Sequence, residues 1–199
     1  MSSNQRSTPR SQAKADRRGA LLAAAADLFA RAGFNGVTVE DLGAAVGMSG
    51  PAVYRHFSGK QAVLAALLIG VSDDLVGGGR SVVASCPDAE SALRALVDFH
   101  VDFALANPEV IRVQDRDLDS LAHTERHQVR LLQREYVELW VQVLQRVHPG
   151  SDAAALRIRA HATFGLLNST PHSARDSAPP AVRALLREMA LAALGLAAD

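Results

Sequence analysis

The chain has 199 residues, 48% of them hydrophobic and 21% charged, so a core of ordinary size is available without crosslinks. Its single cysteine, Cys86, excludes an intrachain disulfide and suits a reducing compartment. It has neither an uninterrupted apolar run of about 18 residues nor an apolar segment near the N-terminus, so we expect a soluble cytoplasmic protein without a membrane segment.

The formal net charge is zero, but the charges are unevenly distributed along the chain. Residues 1–60 contain eight Lys or Arg and four Asp or Glu, whereas residues 61–199 contain thirteen and seventeen. A basic first segment followed by an acidic remainder is typical of a protein whose first part faces DNA, although chance segregation of charges gives the same pattern.

The N-terminal residues 1–13 are polar and predict a disordered basic arm. Arg6, Arg10 and Lys14 could contact phosphates or a minor groove, and a purely solubilising tail is an equal alternative. From about Ala15 to Ala32, apolar residues recur at helical spacing and indicate the first helix, after which a glycine follows as a stop signal.

The stretch from Val37 to Lys60 predicts two short helices joined by a tight turn. Thr38 is placed to cap the first helix, with Asp41 in the capping-box position three residues later. Gly47 then supplies the backbone freedom that the turn requires.

The second short helix has its own start signals. Ser49 is placed to cap it, and Pro51 is tolerated in its first turn because the missing N–H would be unpaired there. Ser58 is expected to begin the next helix. Two short helices around such a turn are typical of a helix-turn-helix whose second helix enters a DNA major groove.

These residues resemble the TetR family of bacterial transcriptional regulators. The resemblance covers roughly residues 14–64 and is carried by Phe29, Gly33, Phe34, Thr38, Gly47, the run Tyr54-Arg55-His56-Phe57, and Lys60. It implies an all-α fold, with a three-helix helix-turn-helix DNA-binding domain at residues 14–60 and a helical ligand-binding and dimerisation domain at residues 61–199. It also implies a ligand-responsive regulator, most often a repressor, that binds a palindromic operator in double-stranded DNA as a homodimer and leaves it when a small-molecule effector binds.

Eight residues are candidates for contact with DNA. Base readout is expected from the start and outer face of the second short helix, at Ser49, Gly50, Pro51 and Arg55. Of these four, only Arg55 can form a bidentate contact with guanine. Phosphate contacts are expected from Thr38, Tyr54, His56 and Lys60.

Further helices are expected in the second part of the chain. The helix beginning at Ser58 is predicted to end at the run Gly77-Gly78-Gly79, and others are predicted at about 88–106, 124–148, 151–168 and 179–197. Residues 109–120 predict a short helix or an irregular, charged surface link.

The candidate effector site lies among these helices. Gln133, Tyr136 and Trp140 follow one another at helical spacing and could line a cavity, although each could equally be plain core. With Phe99, Phe103 and Phe164 they suggest an elongated apolar ligand. The second half also resembles, more weakly, TetR members associated with lipid and acyl-CoA metabolism, which implies that Arg130 or Arg134 meets a carboxylate or phosphate.

The last two helices carry apolar residues more than halfway round, which predicts that one face contacts a partner subunit. In the TetR family the corresponding helices form a four-helix dimer interface. The residues expected at this interface are Leu156, Phe164, Leu167, Val182, Leu185, Met189 and Leu194.

No catalytic or cofactor-binding motif is present, so we expect neither an enzyme nor a cofactor. The nearest metal pattern is the pair His123 and His127, which has no third ligand at a recognisable spacing, so we expect no metal. The alternative function is a helical small-molecule-binding protein whose head contacts a protein partner instead of DNA.

Overall fold

A computed structural model describes residues 9–173 and 179–197, and within these ranges the chain is helical, without strands. The predicted all-α class is confirmed. The helices are α1 (Pro9–Ala32), α2 (Val39–Ala45), α3 (Gly50–Val53), α4 (Lys60–Ser85), α5 (Ala89–Ala106), α6 (Pro108–Asp117), α7 (His123–Val147), α8 (Ala153–Leu167), α9 (Thr170–Ser173) and α10 (Pro179–Ala193).

The first helix begins earlier than the sequence pattern indicates. Because α1 starts at Pro9, the prediction of a disordered arm at 1–13 is wrong for residues 9–13, while residues 1–8, with Arg6, lie outside the described residues. Residues 11–20 are all exposed, so this part of α1 has no apolar face against the core for a periodicity argument to detect.

The helix-turn-helix forms as predicted, for the local reasons that the sequence gives. The Thr38 hydroxyl accepts the N–H of Asp41, and the Asp41 carboxylate accepts the N–H of Thr38, which completes a capping box at α2. Gly47 has φ of 67°, a conformation in which a side chain would be strained. Ser49 occupies the N-cap position of α3, but its side chain makes no capping hydrogen bond.

Two hydrophobic cores divide the molecule into a head and a body. The head comprises α1–α3 with parts of α4 and α6 and the start of α7, and its core includes Leu21, Phe29, Leu42, Val53, Leu64, Leu68, Val110, Val113 and Val129. The body comprises the rest of α4 with α5, α7, α8 and α10, and its core includes Val76, Leu93, Leu96, Trp140, Leu144, Leu156, Leu167 and Leu191. The head core thus extends beyond the boundary predicted at residue 60.

Helix α4 differs from the prediction at both ends. It begins at Lys60 with Gly59 as N-cap, so Ser58 does not cap it, and it continues through the glycine run to Ser85. The glycines permit close helix packing: a Cβ on Gly78 would lie 2.4 Å from Cζ of Phe99, and one on Gly79 would lie 2.8 Å from Cε2 of Tyr136. Packing against α5 and α7 therefore retains a helix that glycine propensity alone would end.

By length and composition alone, α4 is the one helix among the described residues that could cross a membrane, with a mean hydropathy of 1.6. Its buried residues Val63, Leu64, Leu67 and Leu68 belong to the head core, and Val76 belongs to the body core. This packing accounts for its apolar character, since the central helix of a folded protein has the same composition.

Of the two alternatives predicted for residues 109–120, the short helix forms, and it packs into the head instead of lying wholly at the surface. Helix α6 buries Val110 and Val113 in the head core. Arg116 donates hydrogen bonds to the carbonyl oxygens of Ala30, at 3.3 Å, and of Phe29, near the end of α1. These carbonyls lie in the last turn of α1, where oxygens lack partners within the helix.

Replacing Gly79 by Ala is expected to lower the free energy of unfolding by roughly 1–3 kcal/mol, because the added methyl group overpacks the contact with Tyr136. Gly77→Ala is the matched control: nothing lies within 4 Å of its added Cβ, so helix propensity should raise stability by about 0.5–1 kcal/mol. Urea unfolding measures both changes. Shifts of the same sign and size would contradict the packing explanation.

Candidate DNA-binding surface and ligand cavity

The residues predicted to read bases lie on the outer side of the head. Ser49, Pro51, Tyr54 and Arg55 are exposed, and Gly50 is half-buried. Beneath them Val53 and Phe57 are buried in the head core, which fixes the orientation of the short helix α3. The exposed side chains are thus presented from a packed support, as base or phosphate contacts require.

A cleft of about 840 Å³ separates the exposed part of α1 from the helix-turn-helix. Lys14 and Arg17 on α1 line one side, and Arg55 and His56 line the other, together with Ser49. Four side chains that carry or can acquire positive charge therefore converge on one concave surface, which favours an anionic chain such as a phosphate backbone. Arg17 is not among the predicted DNA contacts, and its signal in the sequence is the spacing of three residues from Lys14.

Two of the predicted phosphate contacts have other partners within the protein. The Thr38 hydroxyl donates to the Asp41 carboxylate at 2.7 Å, as does its backbone N–H at 2.9 Å, so both donors of Thr38 are used. These hydrogen bonds hold the pKa of Asp41 below its usual value. The role predicted for Thr38 as a phosphate donor is therefore corrected to that of a helix cap.

Lys60 is also engaged inside the head. Its Nζ donates to the carbonyl oxygen of Phe34 at 2.9 Å and lies 4.4 Å from the centroid of the Phe34 ring. An ammonium group has three N–H bonds, so Lys60 retains two for a phosphate while it anchors the start of α4.

The body contains a cavity of about 220 Å³ between α4, α5, α6, α7 and α8. Its polar lining includes Ser72, His100, Gln133, Tyr136 and Asn168, and its apolar lining includes Leu75, Leu132, Val137 and Phe164. This combination of apolar wall and a few convergent polar groups is typical of a small-molecule site. The cavity brings together three of the predicted ligand residues, Gln133, Tyr136 and Phe164.

A chain of hydrogen bonds crosses the inner side of this cavity. His100 lies between Tyr136, whose hydroxyl is 3.3 Å from Nδ1, and Asn168, whose Oδ1 is 3.1 Å from Nε2. Burial lowers the pKa of His100 to about 4, against the opposing effect of the Asn168 hydrogen bond, so the imidazole is neutral at pH 7. Burial also raises the pKa of Tyr136 above its usual value.

The aromatic residues predicted for one ligand site fall into three places. Phe164 lines the cavity, whereas Trp140 is fully buried behind it, with ring centroids 4.9 Å apart. Phe99 and Phe103 line a separate groove of about 380 Å³ between α4 and α5. Leu75 borders both spaces, so the predicted single site is corrected to a cavity and an adjacent groove.

The predicted anion contacts in the body are not supported. Arg130 is exposed and lies 3.6 Å from Asp119, and Arg134 is also exposed, while neither lines the cavity. Two polar residues outside the predicted set line the cavity instead: His100, which the sequence leaves open between a hydrogen-bonded core residue and a ligand-binding group, and Asn168. The signal for His100 is that it is a polar residue within the otherwise apolar face of α5, whereas Asn168 lies at the C-cap of α8.

The predicted dimer residues divide by exposure. Leu156, Leu167 and Leu194 are fully buried in the core of the same chain, so these three are corrected to internal residues, while Phe164 and Val182 are half-buried against that core. Leu185 and Met189 on α10 are exposed by 56% and 45%. Ile158 on α8, which the prediction omitted, is exposed by 69%. Together they leave an apolar surface open on α8 and α10.

These features define a class of protein: a helix-turn-helix head with a basic cleft, joined by one continuous helix to a body that contains a cavity. Among residues 9–173 and 179–197, no group of three His, Cys, Asp or Glu side chains converges as a metal site. Comparison with known proteins matches these same two parts of the molecule, the head and the body.

The model described as "Bacterial regulatory proteins, tetR family" matches residues 21–67, and that described as "Tetracyclin repressor-like, C-terminal domain" matches residues 87–175. The chain therefore belongs to the TetR family of bacterial regulatory proteins, and the predicted family is confirmed. At the level of the family, this also confirms the predicted class of DNA-binding transcriptional regulator.

Individual relatives match part of the chain. The transcriptional repressor KstR2 of Rhodococcus jostii (strain RHA1) is 35% identical over 133 residues, which are 66% of this chain and 65% of that protein. The transcriptional activator FasR of Mycolicibacterium smegmatis is 35% identical over 88 residues, which are 44% of this chain and 40% of that protein. The match thus spans less than two thirds of either relative.

The fold is also similar to that of solved structures. A TetR-family transcriptional regulator from Bordetella parapertussis has a TM-score of 0.78 and 22% identity, over 92% of this chain and 99% of that one. At this identity the likeness supports the fold of both head and body.

Because folded His100 takes up a proton only near pH 4, whereas an unfolded histidine does so near pH 6.5, stability should fall as the pH drops between these values. We expect His100 to lower the free energy of unfolding by roughly 2 kcal/mol when the pH falls from 7.5 to 5. Urea unfolding at both pH values should show that His100→Gln removes this part of the loss and that His161→Gln, on the exposed side of α8, retains it. An unchanged loss in His100→Gln would contradict the assignment.

Proposed function

We propose that this protein is a cytoplasmic, ligand-responsive transcriptional repressor that binds a palindromic operator as a homodimer and is released by a small, mainly apolar effector. It acts as a regulator and not as an enzyme. The observation that carries the proposal is that α4 contributes to the head core through Leu64 and Leu68 and borders the ligand cavity through Ser72 and Leu75. One helix thus belongs to both the DNA-binding and the ligand-binding parts.

For the head, we propose that α3 enters the major groove and that the cleft receives the phosphate backbone. Arg55 is the side chain with a bidentate option for guanine, while Lys14 and Arg17 are placed for phosphates on the opposite wall. The residues Gly50, Pro51 and Ala52 offer little hydrogen bonding. Specificity therefore also depends on DNA shape and on a half-site spacing of about one helical turn, roughly 34–36 Å.

For the coupling, we propose that the effector changes the position of α6 as well as that of α4. Gln114 of α6 lines the cavity, and two residues later Arg116 holds the last turn of α1. A displacement of α6 by ligand would therefore reach the head through a direct hydrogen bond. A 100-fold change in operator affinity needs a coupling free energy of only about 2.7 kcal/mol.

The proposal is tested by selecting bound fragments from random genomic DNA with the purified protein. Enrichment of an inverted repeat near a promoter is expected, and the neighbouring genes would indicate the effector. If no DNA sequence is enriched and the head binds a protein instead, the alternative of a protein-binding head is favoured.

Arg55→Ala and Arg17→Ala form a matched pair for the head. Arg55→Ala should reduce the difference in binding free energy between the right and the wrong base at one position by about 1–3 kcal/mol. Arg17→Ala should instead lower the affinity for all DNA sequences alike and reduce the slope of log affinity against log salt concentration by about one. Fluorescence anisotropy on operator variants at several salt concentrations measures both effects. If the two variants behave alike across the operator series, the division between base and phosphate contacts is wrong.

The apolar surface formed by Ile158, Leu185 and Met189 is proposed as the dimer interface. Ile158→Asp and Leu185→Asp should convert the dimer to a monomer, because each places a charge in an apolar contact. Leu131→Asp on α7 is the control, since Leu131 is 45% exposed outside α8 and α10. Sedimentation velocity separates the two states, and a dimer that persists in both α8 and α10 variants would place the interface elsewhere.

A further inference from the structure

We infer that Arg18 is a further phosphate contact of the head and that the ring of Phe57 holds it in position for this contact. The inference rests on the proposed DNA-binding function of the head and adds to it a residue and a positioning mechanism. Two observations carry it, namely the contact of the Arg18 guanidinium group with Phe57 and the hydrogen-bond donors that this contact leaves free.

Arg18 lies beside the basic cleft and connects its two walls. On α1 it follows Lys14 by four residues and Arg17 by one, so it continues the basic face of that helix. Its Cζ lies 4.8 Å from the centroid of the Phe57 ring, and Phe57 directly follows His56, which lines the opposite wall. The contact thus joins α1 to the residues that follow α3.

Phe57 provides a firmly held surface for the guanidinium group. Its ring belongs to the head core and is only 6% exposed, and its backbone N–H donates to the carbonyl oxygen of Val53 at 3.0 Å. A cation over an aromatic ring at this distance is attracted by the ring. Because ordering a long side chain opposes binding, an arginine that is already held loses less conformational freedom when a phosphate arrives.

The donors of Arg18 remain available to an external acceptor. A guanidinium group has five N–H bonds, which one ring cannot all engage. Within residues 9–173 and 179–197, Arg18 makes neither a hydrogen bond nor an ion pair. Arg116, by contrast, donates to a carbonyl oxygen of α1 and to the Asp117 carboxylate. A phosphate group matches the unused donors of Arg18 in both charge and geometry.

The test measures binding to a DNA duplex of about 30 base pairs with random sequence, because phosphate contacts need no operator. Fluorescence anisotropy at several salt concentrations gives the affinity and its salt dependence for the full-length protein. Arg18→Ala is expected to reduce the slope of log affinity against log salt concentration by about one. Arg31→Ala removes an exposed arginine of α1 that pairs with Asp27 and does not line the cleft, so it should leave the slope unchanged.

Phe57→Leu tests the role of the ring. In this background the loss of affinity caused by Arg18→Ala should be smaller than in the wild-type protein by a factor of about two to five, because the guanidinium group is no longer held. Arg17→Ala is the matched control and should cost the same in both backgrounds, since Arg17 lines the cleft but lies over no aromatic ring of the described residues.

An unchanged salt slope in Arg18→Ala would overturn the phosphate contact, and lower stability of that variant in urea would then assign Arg18 a purely structural role. If Phe57→Leu reduced the effects of Arg17→Ala and Arg18→Ala alike, the ring would only support the fold of α3, and the positioning role would be wrong.

If Phe57→Leu does not fold, exchange for lysine decides the positioning role. Lysine keeps the charge but lacks the planar group that stacks on a ring and binds phosphate through two N–H bonds. Arg18→Lys should therefore lower the affinity more than Arg17→Lys, and equal losses would overturn the role of the ring. A wild-type protein that binds no duplex at low salt would contradict the proposed function itself, whereas wild-type binding with unaffected Arg18 variants would contradict this inference alone.

Discussion

The structure depends on helix α4, which is shared by two hydrophobic cores; α7 also reaches both, since Val129 lies in the head core and Trp140 in the body core. The first half of α4 completes the head core with Leu64 and Leu68, and its second half packs in the body core through Val76. Neither core is complete without α4, so the direction of its axis largely determines the orientation of the head relative to the body. The contact of Arg116 with the end of α1 adds a second, shorter link between the same two parts.

The head could be predicted from the sequence because its signals are local. The capping box of Thr38 with Asp41 and the positive φ at Gly47 each depend on residues within a few positions, and both form as expected. The body was less predictable because tertiary contacts decide it. Gly78 and Gly79 indicate a helix stop by propensity, yet they lie in a continuous helix because α5 and α7 approach too closely for any larger residue.

The candidate sites show the same division between local and distant information. The basic and polar face around Arg55 follows from consecutive residues, whereas the cavity joins His100 of α5 to Asn168, which lies 68 positions later. Nothing in the sequence alone indicates that pairing. Burial was also misjudged on the last two helices, since Leu156 and Leu194 face inward while Ile158 faces outward, and apolar character is the same for all three.

The close approach at Gly79 also bears on how the body responds to mechanical displacement. With no side chain between them, the ring of Tyr136 lies directly against the main chain of α4. A side chain in that gap would act as a compliant spacer that rotates and absorbs a shift of the ring. Here any movement of Tyr136 towards α4 displaces the helix backbone directly. The cavity wall and α4, which continues into the head, are therefore expected to move together.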